Sequence, residues 1–257
     1  MSTREETIAA GRAMRETLGL VAPSSLAAVP GIEEYSTEAL FGAIWSRPGL
    51  GLRERMLTTL ATLSSLQHLQ QIRRYTNAAL NIGLTPEEVE EIFIHCSVHA
   101  GMPTAAASLG IAQEVFAERG VETVPQEVDE LSLDEAAAVG AAFRSELFDD
   151  NDSLPPYLIA AAALQPELGA WTLRYAFGGI FQRPGLDTRS RVVCSVAALA
   201  ALGSYPQLGT FVRAASRLGM THEELGELLL QVGPYAGMPA SANALTVAAR
   251  ELDMGSN

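Results

Sequence analysis

The sequence predicts an all-α protein made of two copies of one helical unit. Ala, Leu and Glu are abundant while aromatic residues are only 6% of the chain, a balance that favours helices over sheets. Long stretches are amphipathic at helical spacing. The chain also repeats itself: Ala100-Gly101-Met102-Pro103 returns as Ala236-Gly237-Met238-Pro239. A gapless alignment then sets Phe41 opposite Phe177 and Phe116 opposite Leu252, with about 27 of roughly 76 positions identical.

The elements follow in order. Residues 3–19 read as a helix stopped by Gly19. Residues 20–36 hold Pro23, Pro30, Gly31 and several serines, which suits an irregular connection. A helical pattern runs from Glu38 to Trp45, and Arg47-Pro48-Gly49 makes a turn. Arg53 to about Ile82 is amphipathic, with a break expected near Ser64-Ser65 and a left-handed cap at Gly83. Thr85-Pro86-Glu87-Glu88 is a helix start: Thr caps, Pro suits the first turn and Glu88 completes a capping box. That helix should reach Ala100, with Gly101 stopping it and Pro103 opening the next. The acidic, aperiodic residues 118–133 read as a connection. The expected domains are residues 1–122 and 134–257, joined by a linker over 123–133. The early helix is doubled too, since Gly11, Arg15 and Leu18 match Gly140, Arg144 and Leu147.

Charge and cysteine content narrow the function. A formal net charge of −13 argues against nucleic acid or an anionic membrane as partner. The N-terminus has no apolar signal-peptide core, no charge-free run reaches membrane-spanning length, and two isolated cysteines form no disulfide framework. The expectation is a cytoplasmic protein.

The chemistry-bearing residues gather in Ile94–Pro103. His95 and His99, four apart, share a helix face near its C-terminus, where the dipole favours an imidazolium able to protonate a carbanion or carbonyl oxygen. The alternative is a pair of polar interface residues. Cys96 beside them is either a nucleophile or a small buried hydrophobe. Arg47, Arg53 and Arg55, repeated as Arg183, Arg189 and Arg191, are candidates for gripping a substrate carboxylate through paired hydrogen bonds. Their other reading is to hold the turn through carbonyls and neighbouring acids. Arg73 and Arg74 belong to the first half only, and Arg74, with His68, is a further substrate-binding candidate for that half's site. Tyr75 is grouped with His95, His99 and Cys96 as a catalytic candidate; it and Trp45 could line an apolar pocket or supply one polar tip, and the other role of Trp45 is core packing. His68 is a conceivable third ligand beside His95 and His99, but no carboxylate is placed to complete a metal site, so none is expected. No Gly-rich phosphate loop follows a strand, and no flavin or other cofactor is expected.

The turn Trp45-Ser46-Arg47-Pro48-Gly49-Leu50, the Arg53-Glu54-Arg55 helix and the start Leu84-Thr85-Pro86-Glu87-Glu88 resemble the carboxymuconolactone decarboxylase family, within the alkylhydroperoxidase-D-like superfamily. The resemblance covers both halves, including the N-terminal Gly11–Arg15. The peroxidase branch of that superfamily uses a Cys-x-x-Cys pair, whose positions here are His68 and Gln71, so dithiol chemistry is ruled out unless a partner brings the thiols. The decarboxylase branch has a His at the position of His95. It usually has a Tyr where His99 stands, kept as Tyr235 in the second half, and a His where Tyr75 stands. The second half carries Gln231 opposite His95. The resemblance implies a cofactor-free lyase acting on a small carboxylated or lactone substrate. Related readings are an isomerase, cyclase, dehydratase or lactone-opening enzyme, and the non-enzymatic one is a helical assembly protein. The first half is expected to be active and the second to act as scaffold. Family assemblies imply a homotrimer of doubled chains, with a neighbouring chain able to complete the site.

Overall fold

The computed structural model describes residues 3–149 and 156–254, without the side chains of Ser24 and residues 156–158. Among these residues it holds helices and no strand. The first half comprises α1 (Arg4–Leu18), short α2 (Ser24–Ala27) and α3 (Ile32–Ser36), a π-helix (Thr37–Trp45), α4 (Leu52–Ser65), α5 (Leu69–Asn81), α6 (Pro86–Ala100) and α7 (Met102–Arg119). The second repeats this order as α8 (Leu133–Phe148), α9 (Pro156–Leu164), α10 (Glu167–Trp171), a π-helix (Thr172–Phe177), a 3-10 turn (Ile180–Gln182), α11 (Thr188–Ala201), α12 (Tyr205–Arg217), α13 (His222–Ala236) and α14 (Met238–Glu251).

The predicted helix starts have their chemical cause in place. Thr85 and Thr221 each accept from the backbone N–H of the Glu three residues on, and that Glu accepts from the Thr N–H. The stretch 20–36, expected to be irregular, instead contains α2 and α3. The segment expected as an ordinary helix from Glu38 winds as a π-helix. Gly explains its neighbour: a Cβ on Gly11 would collide with the carbonyl oxygen of Thr37, and one on Gly42 with that of Thr7, so α1 and the π-helix cross backbone against backbone. Gly140 and Gly178 repeat the crossing between α8 and the second π-helix.

The middle of the molecule is the join between the halves. α4 packs on α11, while α13 packs on α4 and α6 on α11. Both central helices are buried along most of their length. Their contacts are reciprocal, as expected of an isologous interface formed by two equivalent surfaces. Arg47 and Arg55 reach Glu227 of the second half, and Arg183 and Arg191 reach Glu91 of the first. Gln231 donates to Thr59, and its counterpart His95 meets Ser195, the counterpart of Thr59. The halves are therefore related by a pseudo-twofold rotation.

Candidate functional site

The candidate residues fall into two clusters, one on each side of that pseudo-axis. α6 carries His95 and His99 out of the first half and against the second. Both Nε2 atoms lie 2.8 Å from Ser195 Oγ on α11. One hydroxyl can donate to only one of them, so it accepts an N–H from the other, and the two imidazoles hold complementary tautomers. His95 is fully buried, edge-on to Phe181 at 4.7 Å. His99 is edge-on to Phe211 at 5.4 Å and borders a cavity of about 480 Å³. That cavity is otherwise built by the second half. Its walls are mainly apolar, among them Phe148, Leu173 and Phe177, with Gln207, Thr210 and Arg144 as polar points. Its lining includes no carboxylate. Arg144 lies over the Phe148 ring at 5.7 Å and pairs with no carboxylate among the described residues.

The expectation of an imidazolium is corrected here. Burial lowers the affinity of His99 for a proton to a pKa of about 4. His95 is held well below its ordinary value by burial, then by the charges of His99 and Arg191. The helix dipole contributes at most ~2 kcal/mol and loses to desolvation. Both rings are neutral near pH 7.

The second cluster contains Trp45 and Tyr75, and the structure separates Tyr75 from the histidines with which it was grouped. Trp45 Nε1 donates to Tyr235 Oη at 2.7 Å, and Tyr235 donates to Tyr75 Oη at 2.7 Å. Trp45 is 1% exposed, so it packs the core while satisfying its indole N–H. Burial raises the Tyr75 phenol to about 12 and holds Tyr235 well above its ordinary value, so both stay protonated. A cavity of about 440 Å³ opens beside them, with Arg15, His68, Gln71 and Arg74 in its wall. Where this side has Trp45, Tyr75 and Tyr235, the other has Phe181, Phe211 and His99.

The repeated arginines take the structural alternative. Arg55 is buried, donating to Glu227, Gln231 and the carbonyls of Arg47 and Pro48. Arg47 chelates the same Glu227. Arg53 pairs with Glu88 and donates to Ser190. None of the three lines either cavity. Burial alone would raise the Glu227 carboxyl, but the hydrogen bonds from Arg47 and Arg55 outweigh it and hold the group below its ordinary range. Arg73 is engaged by Glu114 and Glu118. Cys96 is no accessible nucleophile: it is fully buried, its thiol approaches the Ala61 carbonyl at 3.9 Å, and burial pushes its pKa well up.

Residues missed at the sequence level are Ser195, Glu91, Glu227, Phe181, Phe211 and Arg144. One signal pointed to the acids: Glu91, His95 and His99 follow at four-residue spacing on one helix face, as do Glu227, Gln231 and Tyr235. Nothing marked Ser195, which matches Thr59 rather than an identical residue.

The comparisons agree with the repeat. The model of the carboxymuconolactone decarboxylase family matches residues 30–114 and again 166–250. The chain belongs to the carboxymuconolactone decarboxylase family. It is 35% identical over 97 residues to a 4-carboxymuconolactone decarboxylase of Acinetobacter baylyi, covering 38% of this chain and 71% of that protein. It is 32% identical over 84 residues to a nitrosuccinic acid decarboxylase of Metarhizium robertsii, covering 33% of this chain and 59% of that one. An uncharacterised 15.0 kDa protein of Paracoccus denitrificans is 35% identical over 91 residues, 68% of its length. Each match spans about a third of this doubled chain, 33–38%. Among the described residues no helix is long and apolar enough to cross a membrane.

Proposed function

We propose that this chain is a cofactor-independent carbon–carbon lyase of the decarboxylase type, working in the cavity bordered by His99. The observation that carries the reading is the neutral His95–Ser195–His99 chain ending at an apolar cavity that has one guanidinium and no carboxylate in its wall. The relatives named as decarboxylases of 4-carboxymuconolactone and of nitrosuccinic acid favour a small acid as substrate. Its leaving carboxylate must stand next to a group able to take up an electron pair.

In such a reaction the bond to the carboxylate carbon breaks, its electron pair moves into the neighbouring carbonyl or nitro group, and CO2 leaves. The carbon then takes a proton, so one solvent proton is consumed per turnover. Apolar walls favour this step because the carboxylate charge is lost as the bond breaks. A guanidinium pairing with the leaving carboxylate would oppose it by stabilising the ground state. Arg144 therefore serves best on the oxygen where charge accumulates. With Nε2 engaged by Ser195, His99 has Nδ1 left for the ligand. A neutral imidazole N–H there polarises the same electron sink without being a carboxylate counterion. Presenting that N–H requires Ser195 to donate to His99 Nε2 and to accept from His95 Nε2.

The assay is CO2 release from 4-carboxymuconolactone and from nitrosuccinate by the purified chain. His99→Ala is expected to lower kcat by about 10²- to 10⁴-fold, the range of a positioned acid–base group. No release from either acid, or full activity in His99→Ala, refutes the reading. We further propose that the chain forms a homotrimer, for which the exposed Tyr35 and Ile32 beside one cavity and their counterparts Trp171 and Leu168 beside the other are candidate contact faces.

A further inference from the structure

The His95–Ser195–His99 chain can run in two directions, since the hydroxyl can donate to either ring. The other side of the pseudo-axis carries the same arrangement with no such freedom. There Gln231 stands where His95 stands, Thr59 where Ser195 does, and Arg55 where Arg191 does. A guanidinium only donates, so Arg55 Nη1 must meet the amide oxygen of Gln231, at 3.1 Å. The amide nitrogen is then left to donate to Thr59 Oγ1, also at 3.1 Å.

Arg191 is placed as Arg55 is. It lies one turn before Ser195 on the same face of α11. Its Nη2 donates to Glu91 and to the carbonyls of Arg183 and Pro184, as Arg55 Nη2 donates to Glu227 and to those of Arg47 and Pro48. Only the last link differs: Arg191 Nη1 and His95 Nδ1, both buried, have no hydrogen-bond partner. Side-chain reach accounts for both. The Nε2 atoms of His and Gln are equally far from Cβ along the side chain, and both meet the hydroxyl. His Nδ1 is one bond nearer to Cβ than the Gln oxygen, so the ring stops short of the guanidinium. The charge still acts on it: after burial and His99, Arg191 holds the His95 pKa down, while the Arg191 main chain favours a proton on the ring.

We infer that Arg191 is a positioning residue for the His99 site, setting the direction of the hydrogen-bond chain from the side remote from the cavity. The His95 ring turns the lone pair of Nδ1 toward the guanidinium and keeps its proton on Nε2. An N–H at Nδ1 would instead aim a positive end at a buried cation, with no acceptor beside it. Nε2–H donates to Ser195 Oγ, Ser195 donates to His99 Nε2, and the His99 proton stays on Nδ1, the nitrogen open to a ligand. Glu91, one turn before His95 on α6, holds the guanidinium in place. The use of that N–H in turnover rests on the lyase reading, whereas the tautomers themselves do not.

Histidine-selective ¹⁵N labelling reads the tautomers at pH 7 in the full chain without substrate, because a bare imidazole nitrogen resonates far downfield of an N–H. His95→Gln and His99→Gln assign the signals. The expected result is a bare Nδ1 in His95 and a bare Nε2 in His99. The double substitution Glu91→Gln, Arg191→Met removes the ion pair as a unit and leaves no lone buried charge. It should turn both rings into tautomer mixtures together, a change that a merely structural role of Arg191 would not produce. His95→Gln copies the Gln231 side and should leave His99 Nε2 bare. Calorimetric melting establishes that the variants are folded. A bare Nδ1 in wild-type His99 overturns the inference. So do wild-type tautomers in the folded double variant, or a switched His99 in His95→Gln. Absence of CO2 release with the expected tautomers removes the lyase reading alone, and the wrong tautomers with CO2 release intact remove this inference alone.

Discussion

Removing the Glu91 carboxylate should destabilise the protein strongly, and more than removing its repeat partner Glu227. Glu91 is 2% exposed and is the carboxylate to which Arg191, itself fully buried, is paired. In Glu91→Ala, Arg191 keeps only the carbonyls of Arg183 and Pro184, and its Nε and Nη1 already lack partners. Leaving such a charge uncompensated costs about 3–5 kcal/mol. In Glu227→Ala, Arg55 retains the Gln231 side chain besides the two turn carbonyls, because Gln231 stands where the other copy has His95. One retained charge-assisted hydrogen bond makes that variant roughly 1–3 kcal/mol less damaged. For a chain of this size each kcal/mol moves Tm by about 2–4 °C, so Glu91→Ala should melt about 6–20 °C below wild type. Calorimetric melting, with urea unfolding as a second measure, gives both numbers. A loss below about 1 kcal/mol in Glu91→Ala, or a larger loss in Glu227→Ala, refutes the argument that this buried ion network ties the halves together.

Three further outcomes are expected. The His99 pKa is depressed, to about 4, so its stabilising contribution is full above the unfolded value near 6.5 and is lost as pH falls toward 4. The loss from this residue is on the order of 3 kcal/mol, with a further decline as Glu227 protonates below the ordinary carboxylate range. Urea midpoints at pH 7 and pH 5 read it, and a rise on acidification contradicts it. Cys96 and Cys194 should be silent to an aromatic disulfide reagent in the folded chain and react only on unfolding, since both are buried and burial raises both thiols. Fast labelling under native conditions contradicts that. Light scattering should give three times the 27.3 kDa chain mass, and a mass of one chain would remove the trimer.

The fold was legible because its signals are local. Capping boxes at Thr85 and Thr221, stop glycines and helical period act within a few residues, and the repeat doubled the capping box and the stops at Gly83 and Gly101. The π-helices were not legible, because the apolar pattern of a short segment does not tell wider winding from an ordinary helix, and the glycines that meet at each crossing lie more than thirty residues apart in sequence. The site was half legible. His95 and His99 could be found as a face of one helix, but their partner Ser195 lies 100 and 96 residues away and looks like any core hydroxyl. The charge expected on the histidines failed for the same reason, since burial is set by Phe181 and Phe211 from the other half. Arg55 looked like a substrate grip because its carboxylate, Glu227, stands 172 residues further on.

That same separation matters while the chain is being made. When α4 leaves the ribosome its buried guanidinium has no counterion, and none arrives until α13 is synthesised. At roughly 5–20 residues per second the wait is about 10–30 s. Arg191 has no such wait, because Glu91 has already been made when it emerges. The N-terminal half must therefore persist unfinished during translation, with an apolar face open and an unpaired charge on it. Synthesis of α13, rather than completion of the first repeat, is the event that supplies the counterion of Arg55.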